Sequence, residues 1–302
     1  DLNDYEYVPG RSSVAAVGVH GVTIQVSDSG PLVAALTIRS SAPGASALTR
    51  TYRITAGSDV IEIATTVDKS PIRTKEGVHL GFGFNVPGGQ VRLDGPWAIV
   101  RPDSDQLAGA DRNVVAVGRW ADVSNDSIGV TWATLDAPLL EVGGMWAEDW
   151  HHDDGTESWL THLPPTQLLY SYVMNNYWHT NFKADQSGPV TFRYAVRPHG
   201  AWDPAAAERF GIEESQPLVA VAGIAPEPSA PITIDDRDVI ISALTPAGDA
   251  LGARLFNPTP SARRVALRWG SVSTDATVAA YGVADVRIGP RPPLPPSPAP
   301  VR

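Results

Sequence analysis

Cysteine is absent from the 302 residues, so no disulfide and no thiolate metal site can form, and thiol nucleophile chemistry is excluded. Lysine is almost absent too. Only Lys69, Lys75 and Lys183 occur, and arginine carries nearly all the positive charge. Acidic side chains outnumber basic ones 33 to 23, a formal net charge of −10. That balance excludes a broad basic surface for nucleic acid or anionic membrane. No apolar run approaches the roughly 20 residues of a membrane span, and no signal-peptide pattern is present, which leaves the compartment open with a lean to the cytoplasm. A nucleophile elbow, a P-loop, a dinucleotide fingerprint and a zincin motif are all missing. An initiator methionine is missing as well. The start Asp1-Leu2-Asn3 is expected of a piece of something longer or of a processed product.

What is present is mainly strand signal. Ile61, Ile63, Thr65 and Val67 alternate with Val60, Glu62, Ala64 and Thr66. Val190, Phe192, Tyr194 and Val196 alternate with Thr191, Arg193, Ala195 and Arg197, and Val265, Leu267 and Trp269 with Arg264, Ala266 and Arg268. A period of two marks strands with one buried face. Gly, Pro, Asn and Asp clusters punctuate these runs, because they supply turn backbone angles. Helix signal is confined to Asp203–Gly211: Asp203 fits an N-cap, Pro204 the first helical position and Gly211 the stop. The reading is an all-β chain with a larger domain over 1–215 and a small antiparallel sandwich over 216–288. The tail over 289–302 holds seven prolines and is expected to lie outside the fold.

Four places carry candidate chemistry. Asn175-Asn176-Tyr177-Trp178-His179-Thr180-Asn181 joins amide, aromatic and imidazole groups. Such groups stack on a sugar ring and bond its hydroxyls, or else fill a sandwich core while the amides tie down a loop. Arg101 and Asp105, with Asp103 between them, offer loop carboxylates, which glycoside hydrolysis needs in pairs and which turns use as locks. His151-His152-Asp153-Asp154 is the dense metal-ligand type cluster, or an exposed loop tip. Asp122 to Asp126 reads as a turn before a strand, and Asn125-Asp126-Ser127 is formally a glycosylation acceptor.

In order along the chain, Asp4-Tyr5-Glu6-Tyr7, Lys75-Glu76-Gly77-Val78-His79, Phe84-Asn85-Val86-Pro87-Gly88-Gly89, Arg119-Trp120-Ala121-Asp122-Val123-Ser124-Asn125, Tyr172-Val173-Met174-Asn175-Asn176-Tyr177-Trp178-His179-Thr180-Asn181 and Leu255-Phe256-Asn257-Pro258 form a set of blocks. In these blocks the chain resembles the C-terminal, all-β region of family 38 glycoside hydrolases, the bacterial-type α-mannosidases. The resemblance implies a galactose-mutarotase-like supersandwich followed by a small β-sandwich. It implies an aspartate nucleophile and a zinc ion in a catalytic barrel of the same polypeptide, outside this chain, so no catalytic residue, metal ligand or cofactor is assigned here. The implied partners are that barrel and a mannose-containing saccharide. Tyr177, Trp178, His179, Asn181, Arg101 and Asp105 are the candidates for contact with sugar or barrel. Two other readings stay open: a free-standing carbohydrate-binding module, and a mutarotase-like or lyase-like enzyme, which requires a histidine and a carboxylate on one sheet face.

Overall fold

A computed structural model describes residues 2–146, 159–177, 183–220, 222 and 231–290. The chain is mostly β, with one α-helix among the described residues. It divides into two compact units, Asp1–Gly95 with Val100–Trp202, and Pro96–Ile99 with Asp203–Arg302. The division between Trp202 and Asp203 lies before the helix, whereas the sequence reading places the boundary at 215/216.

The first unit is built on two antiparallel sheets. The five-stranded sheet runs β1 (Leu2–Pro9), β6 (Glu76–Gly83), β13 (Leu168–Asn175), β12 (Leu139–Val142) and β9 (Val115–Ala116). The nine-stranded sheet runs β2 (His20–Ser29), β3 (Val33–Ser41), β4 (Ala45–Thr55), β5 (Ile61–Lys69), β14 (Gly188–His199), β11 (Gly129–Thr134), β10 (Trp120–Ser124), β7 (Gln90–Gly95) and β8 (Ala98–Val100). Alternating residues of both sheets meet in one core. Tyr5, Val78, Leu80, Phe82, Leu140 and Leu169 come from the first, and Leu48, Ile63, Val67, Trp132, Tyr194 and Val196 from the second. The strand periodicity read from Ile61 to Val67 and from Val190 to Val196 thus places the expected residues inside. Ala195, on the other face, is nevertheless buried.

At the centre, Phe82 of β6 meets Trp132 of β11 and Tyr194 of β14, with ring centroids 4.9 Å apart in each case. Trp132 and Tyr194 stack at 5.4 Å. The Tyr194 hydroxyl donates to Ser171 Oγ at 2.9 Å, which satisfies its polar tip across the two sheets.

In the second unit, α1 (Pro204–Ser215) begins as the sequence indicates: the Asp203 carboxylate accepts from Ala206 N–H, and proline occupies the first turn. It does not stop at Gly211. The Ser215 hydroxyl donates to Gly211 O at 2.6 Å and Gln216 N–H to Ile212 O at 2.8 Å, so the ladder runs a further turn through residues that tolerate helix. Two three-stranded sheets follow, β15 (Ile232–Ile234), β18 (Arg263–Trp269) and β19 (Val272–Val278), then β16 (Ile240–Ala247), β17 (Ala250–Asn257) and β20 (Gly282–Ile288). They share a core that includes Leu255, Leu267, Val278 and Ile288. The run Val278–Ile288, continuous in apolar pattern, is broken by a turn at Tyr281, whose φ is +51° and whose N–H donates to Thr259 O. Asn257 organises that end: its side-chain N–H groups donate to Ser261 O (2.8 Å) and Ala279 O (2.9 Å), while its Oδ1 accepts from Thr259 N–H (3.0 Å).

Trp132→Ala removes the middle ring of the aromatic cluster, with Trp132 only 1% exposed. The expected loss is about 3–5 kcal/mol of unfolding free energy, read by denaturant titration.

Candidate functional site

The amide and aromatic cluster is split by what the structure describes. Trp178, His179 and Asn181 lie outside the described residues, as do His151, His152, Asp153 and Asp154. Asn176 and Tyr177 are described, and both are held. Asn176 Oδ1 accepts from Glu76 N–H at 2.7 Å, and its side-chain N–H groups donate to Ile72 O and Thr74 O, each at 2.9 Å. This amide ties the 72–76 loop to the end of β13, the structural alternative weighed for it. Beside it Lys69 Nζ donates to Glu76 Oε1 at 2.5 Å, with both side chains buried. Tyr177 is 2% exposed, packs on Tyr172, and lies under the Arg11 guanidinium, 5.9 Å from the ring centroid. Its ring is a packing element in this conformation, not an open stacking platform.

Arg101 and Asp105 pair with each other. Arg101 Nη2 donates to Asp105 Oδ1 and Arg101 N–H to Asp105 Oδ2, both at 2.8 Å. The Arg101 hydrogen bond holds the Asp105 carboxyl below its usual pKa, so it stays ionised and is poorly suited to general acid work. Asp103, at φ +69°, forms an ion pair with the Arg112 guanidinium (Nε to Oδ1 3.0 Å) and accepts from Leu163 N–H (3.2 Å). The loop borders an open cleft of about 400 Å³ between Gln90, Arg101, Pro102, Val142, Pro164 and Thr166.

A second group of functional side chains emerges from strand register. On β6, Val78, Leu80 and Phe82 enter the core, so His79 points to the opposite, outer face of the five-stranded sheet. Its neighbours there are Glu6, paired across β1, and Tyr172, paired across β13. Tyr170 and Glu141 pair in turn between β13 and β12, and Asp4 stands beside Glu6 on the same face of β1. His79 Nε2 lies 2.9 Å from Glu141 Oε2, and the imidazole stacks on Tyr172 at 4.8 Å. Glu141 Oε1 accepts from Trp146 N–H at 2.6 Å. Burial raises the Glu6 pKa, with Asp4 adding to the rise and His79 opposing it. Burial first, and then Glu6, Asp4 and Glu141, raise the Tyr170 phenol. The face therefore combines carboxylate acceptors with phenol rings, the groups that bind a hydroxylated ligand. Asp4, Glu6 and Tyr170 are part-exposed, whereas His79 and Glu141 are fully buried. A histidine and a carboxylate do converge on one sheet face, as a mutarotase-like enzyme requires, but His79 and Glu141 are both fully buried, and the part-exposed carboxylates there are Glu6 and Asp4.

The third group is Asp122 with His199. Asp122 lies inside β10 instead of in a turn, and Asn125 makes the turn, its Oδ1 accepting from Ser127 N–H (2.7 Å) and Ile128 N–H (2.8 Å). Asp122 Oδ2 accepts from His199 Nε2 at 2.8 Å and Thr131 Oγ at 2.9 Å, and Oδ1 accepts from the Ser124 hydroxyl. His199 Nδ1 faces Gly200 O at 3.0 Å. Both ring nitrogens thus meet acceptors, an arrangement that only the imidazolium satisfies, and the Asp122 hydrogen bond raises the His199 pKa above its ordinary 6.5. Arg92 stacks on Trp202 at 4.5 Å beside them. A Cβ at Gly129 would meet His199 Cε1 at 2.4 Å, so the imidazole seat requires glycine there. The serine and the histidine both bond the aspartate instead of each other, which is not the geometry of an activated nucleophile. Among the described residues no group of three or more His, Asp or Glu is placed to hold a metal ion.

No sequence family and no curated protein matches the chain. Solved structures do match in fold. An alpha-mannosidase from Enterococcus faecalis V583 superposes with a TM-score of 0.70 over 95% of this chain and 38% of its own length, at 13% identity. A glycosyl hydrolase family 38 protein from Enterococcus faecalis superposes with a TM-score of 0.69 over 95% and 40%, at 14% identity. The likeness is one of fold, and this chain spans about two fifths of those proteins.

Two outcomes follow from the geometry. Asn176→Ala leaves buried backbone partners unsatisfied and should cost about 1–3 kcal/mol in denaturant unfolding, against little change for an exposed control such as Thr191→Ala. The His199 contribution has a definite sign. Its folded pKa is raised, so its stabilisation is complete below pH 6.5 and is lost as pH rises through the higher folded value. His199→Gln should remove that part of the pH slope, read as unfolding free energy against pH.

Proposed function

We propose that this chain is the non-catalytic β region of an α-mannosidase-like, family 38 retaining glycoside hydrolase, where it braces a catalytic barrel and lines one wall of its sugar pocket. The observation that carries this reading is the fold likeness to the Enterococcus faecalis alpha-mannosidase, which extends over 95% of this chain but only 38% of that protein. The remaining length of such a protein has room for a separate catalytic module. The finer architecture in this reading is a galactose-mutarotase-like supersandwich for the first unit and a small β-sandwich for the second.

The chemistry of the described residues supports a bracing role. Several buried polar groups are held in pairs: Lys69 with Glu76, His79 with Glu141, and Asp122 with His199. A catalytic carboxylate needs a supporting shell that does not move, and such pairs supply rigidity of that kind. In this reading contact with sugar or barrel falls to Trp178, His179 and Asn181, which follow Asn176 and Tyr177 in sequence, and to Arg101 and Asp105 at the cleft edge. In retaining hydrolysis the nucleophile forms a glycosyl-enzyme intermediate. In this reading the nucleophile and the zinc ion belong to the barrel, and no step passes through a metal held by this chain.

The test is twofold. The coding sequence immediately upstream of Asp1 should encode an α/β barrel with histidine and aspartate zinc ligands, and the purified 302-residue chain should hydrolyse no aryl α-mannoside. Measurable turnover by the pure chain, or upstream sequence without a barrel, overturns the proposal. Calorimetric binding of mannose oligosaccharides that is lost in Trp178→Ala, with no barrel upstream, would instead assign a free-standing carbohydrate-binding module.

A further inference from the structure

Among the described residues, four other than glycine have a positive φ. Asn3 and Asp103 are of types that tolerate the left-handed region, whereas Trp97 (φ +57°) and Tyr281 (φ +51°) are not. Trp97 follows Pro96 in the two-residue turn between β7 and β8. A proline followed by a positive φ is the type II arrangement, whose strain-free occupant is glycine or asparagine. Tyr281 closes the three-residue loop between β19 and β20, at the left-handed position that glycine ordinarily takes in such a hairpin. Both side chains are also exposed, Trp97 by 44% and Tyr281 by 64%. Neither is placed there for its backbone or as buried core, and strain held in this way clusters where ligands bind.

Both turns border the outer face of the β16–β17–β20 sheet in the second unit, to which Pro96–Ile99 belongs. On β17, Ala253 and Leu255 enter the core, so Arg254 and Phe256 point outward. Trp97 meets Phe256 at an interplanar angle of 71°, and the Arg254 guanidinium lies 5.7 Å from the Trp97 ring centroid. Arg254 Nε and Nη2 donate to the two Asp285 oxygens at 2.8 and 3.2 Å, and both side chains stay open to solvent. Val283, opposite Phe256, is 42% exposed and stands two residues from Tyr281. Aromatic rings stack on the apolar C–H face of a pyranose. The fixed guanidinium–carboxylate pair beside Trp97 offers donors and acceptors together, as neighbouring sugar hydroxyls require. The net charge of −10 disfavours a polyanion in their place.

We propose that Trp97 and Tyr281, with the Arg254–Asp285 pair, form a saccharide-binding platform on the second unit that works independently of the Trp178–Asn181 segment. The ligand class, a mannose-containing oligosaccharide, rests on the hydrolase reading above, while the platform rests on its own geometry.

Mannotriose is titrated into the 302-residue chain, and the tryptophan indole N–H signals are followed by NMR. The expected result is a saturable shift of the signal that Trp97→Gly deletes. Tyr281→Gly, which relieves backbone strain, should weaken binding by roughly fivefold or more without lowering the thermal midpoint. Trp178→Ala should leave the affinity unchanged. The absence of a saturable shift overturns the platform and leaves the two rings to a protein surface. Affinity that Tyr281→Gly does not weaken overturns it too, as does a shift confined to other indoles. Binding that Trp178→Ala abolishes overturns it and assigns the sugar to that segment. None of these failures touches the hydrolase reading, which turns on the barrel encoded upstream.

Discussion

The contact on which the first unit depends is the meeting of Phe82, Trp132 and Tyr194 between its two sheets. Three large rings fill the space where the sheets face each other, and the Tyr194–Ser171 hydrogen bond makes the closest approach possible without an orphaned hydroxyl. The inner faces are committed to this core, with a few polar groups such as Asn3, Thr65 and Arg50 bonded to one another among them, and other polar groups go to the outer faces, to strand ends or to loops. His79, Glu141, Tyr170 and Tyr172 share the outer face of the five-stranded sheet for that reason. The unequal strand numbers have a second consequence. A nine-stranded sheet cannot be covered by five strands, and the uncovered part is the β2–β3 overhang.

Buried polar groups elsewhere act as clamps. Asn176 holds the loop before β6, Asn257 holds the ends of β17 and β19, and Asp122 gathers His199, Thr131 and Ser124. A buried ion pair adds little net stability once desolvation is counted, but losing one partner is costly, so such pairs specify one arrangement of the chain. Asp94 departs from this pattern: it is buried, its Oδ2 has no hydrogen-bond partner among the described residues, and burial raises its pKa to about 6.

Much of the architecture was legible in sequence because strand periodicity reports burial directly. Val190 to Val196 and Val265 to Trp269 place their apolar residues as their alternation demands, and the Asp203-Pro204 helix start is seen in the structure. Signals for endings were poorer. Gly211 permits a stop but does not enforce one, and the turn at Tyr281 interrupts a pattern whose hydrophobicity runs on through it. Residue type alone did not decide between the two readings of Tyr177, whose ring is packed away in the structure, and it misplaced Asp122, which looks like a turn residue and lies inside a strand.

By itself the sequence determined the mostly-β character, the absence of thiol chemistry, the acidic balance and the faces of the main strands, since each depends on composition or on neighbours two residues apart. Only the tertiary structure decided which polar residues meet. Asp122 and His199 are 77 residues apart and Tyr177 and Arg11 166 apart, and each pair is joined by strand order and loop packing that no local pattern encodes. The exposure of β2 was likewise decided by the tertiary structure, because one sheet is wider than the other and local pattern carries no record of sheet width.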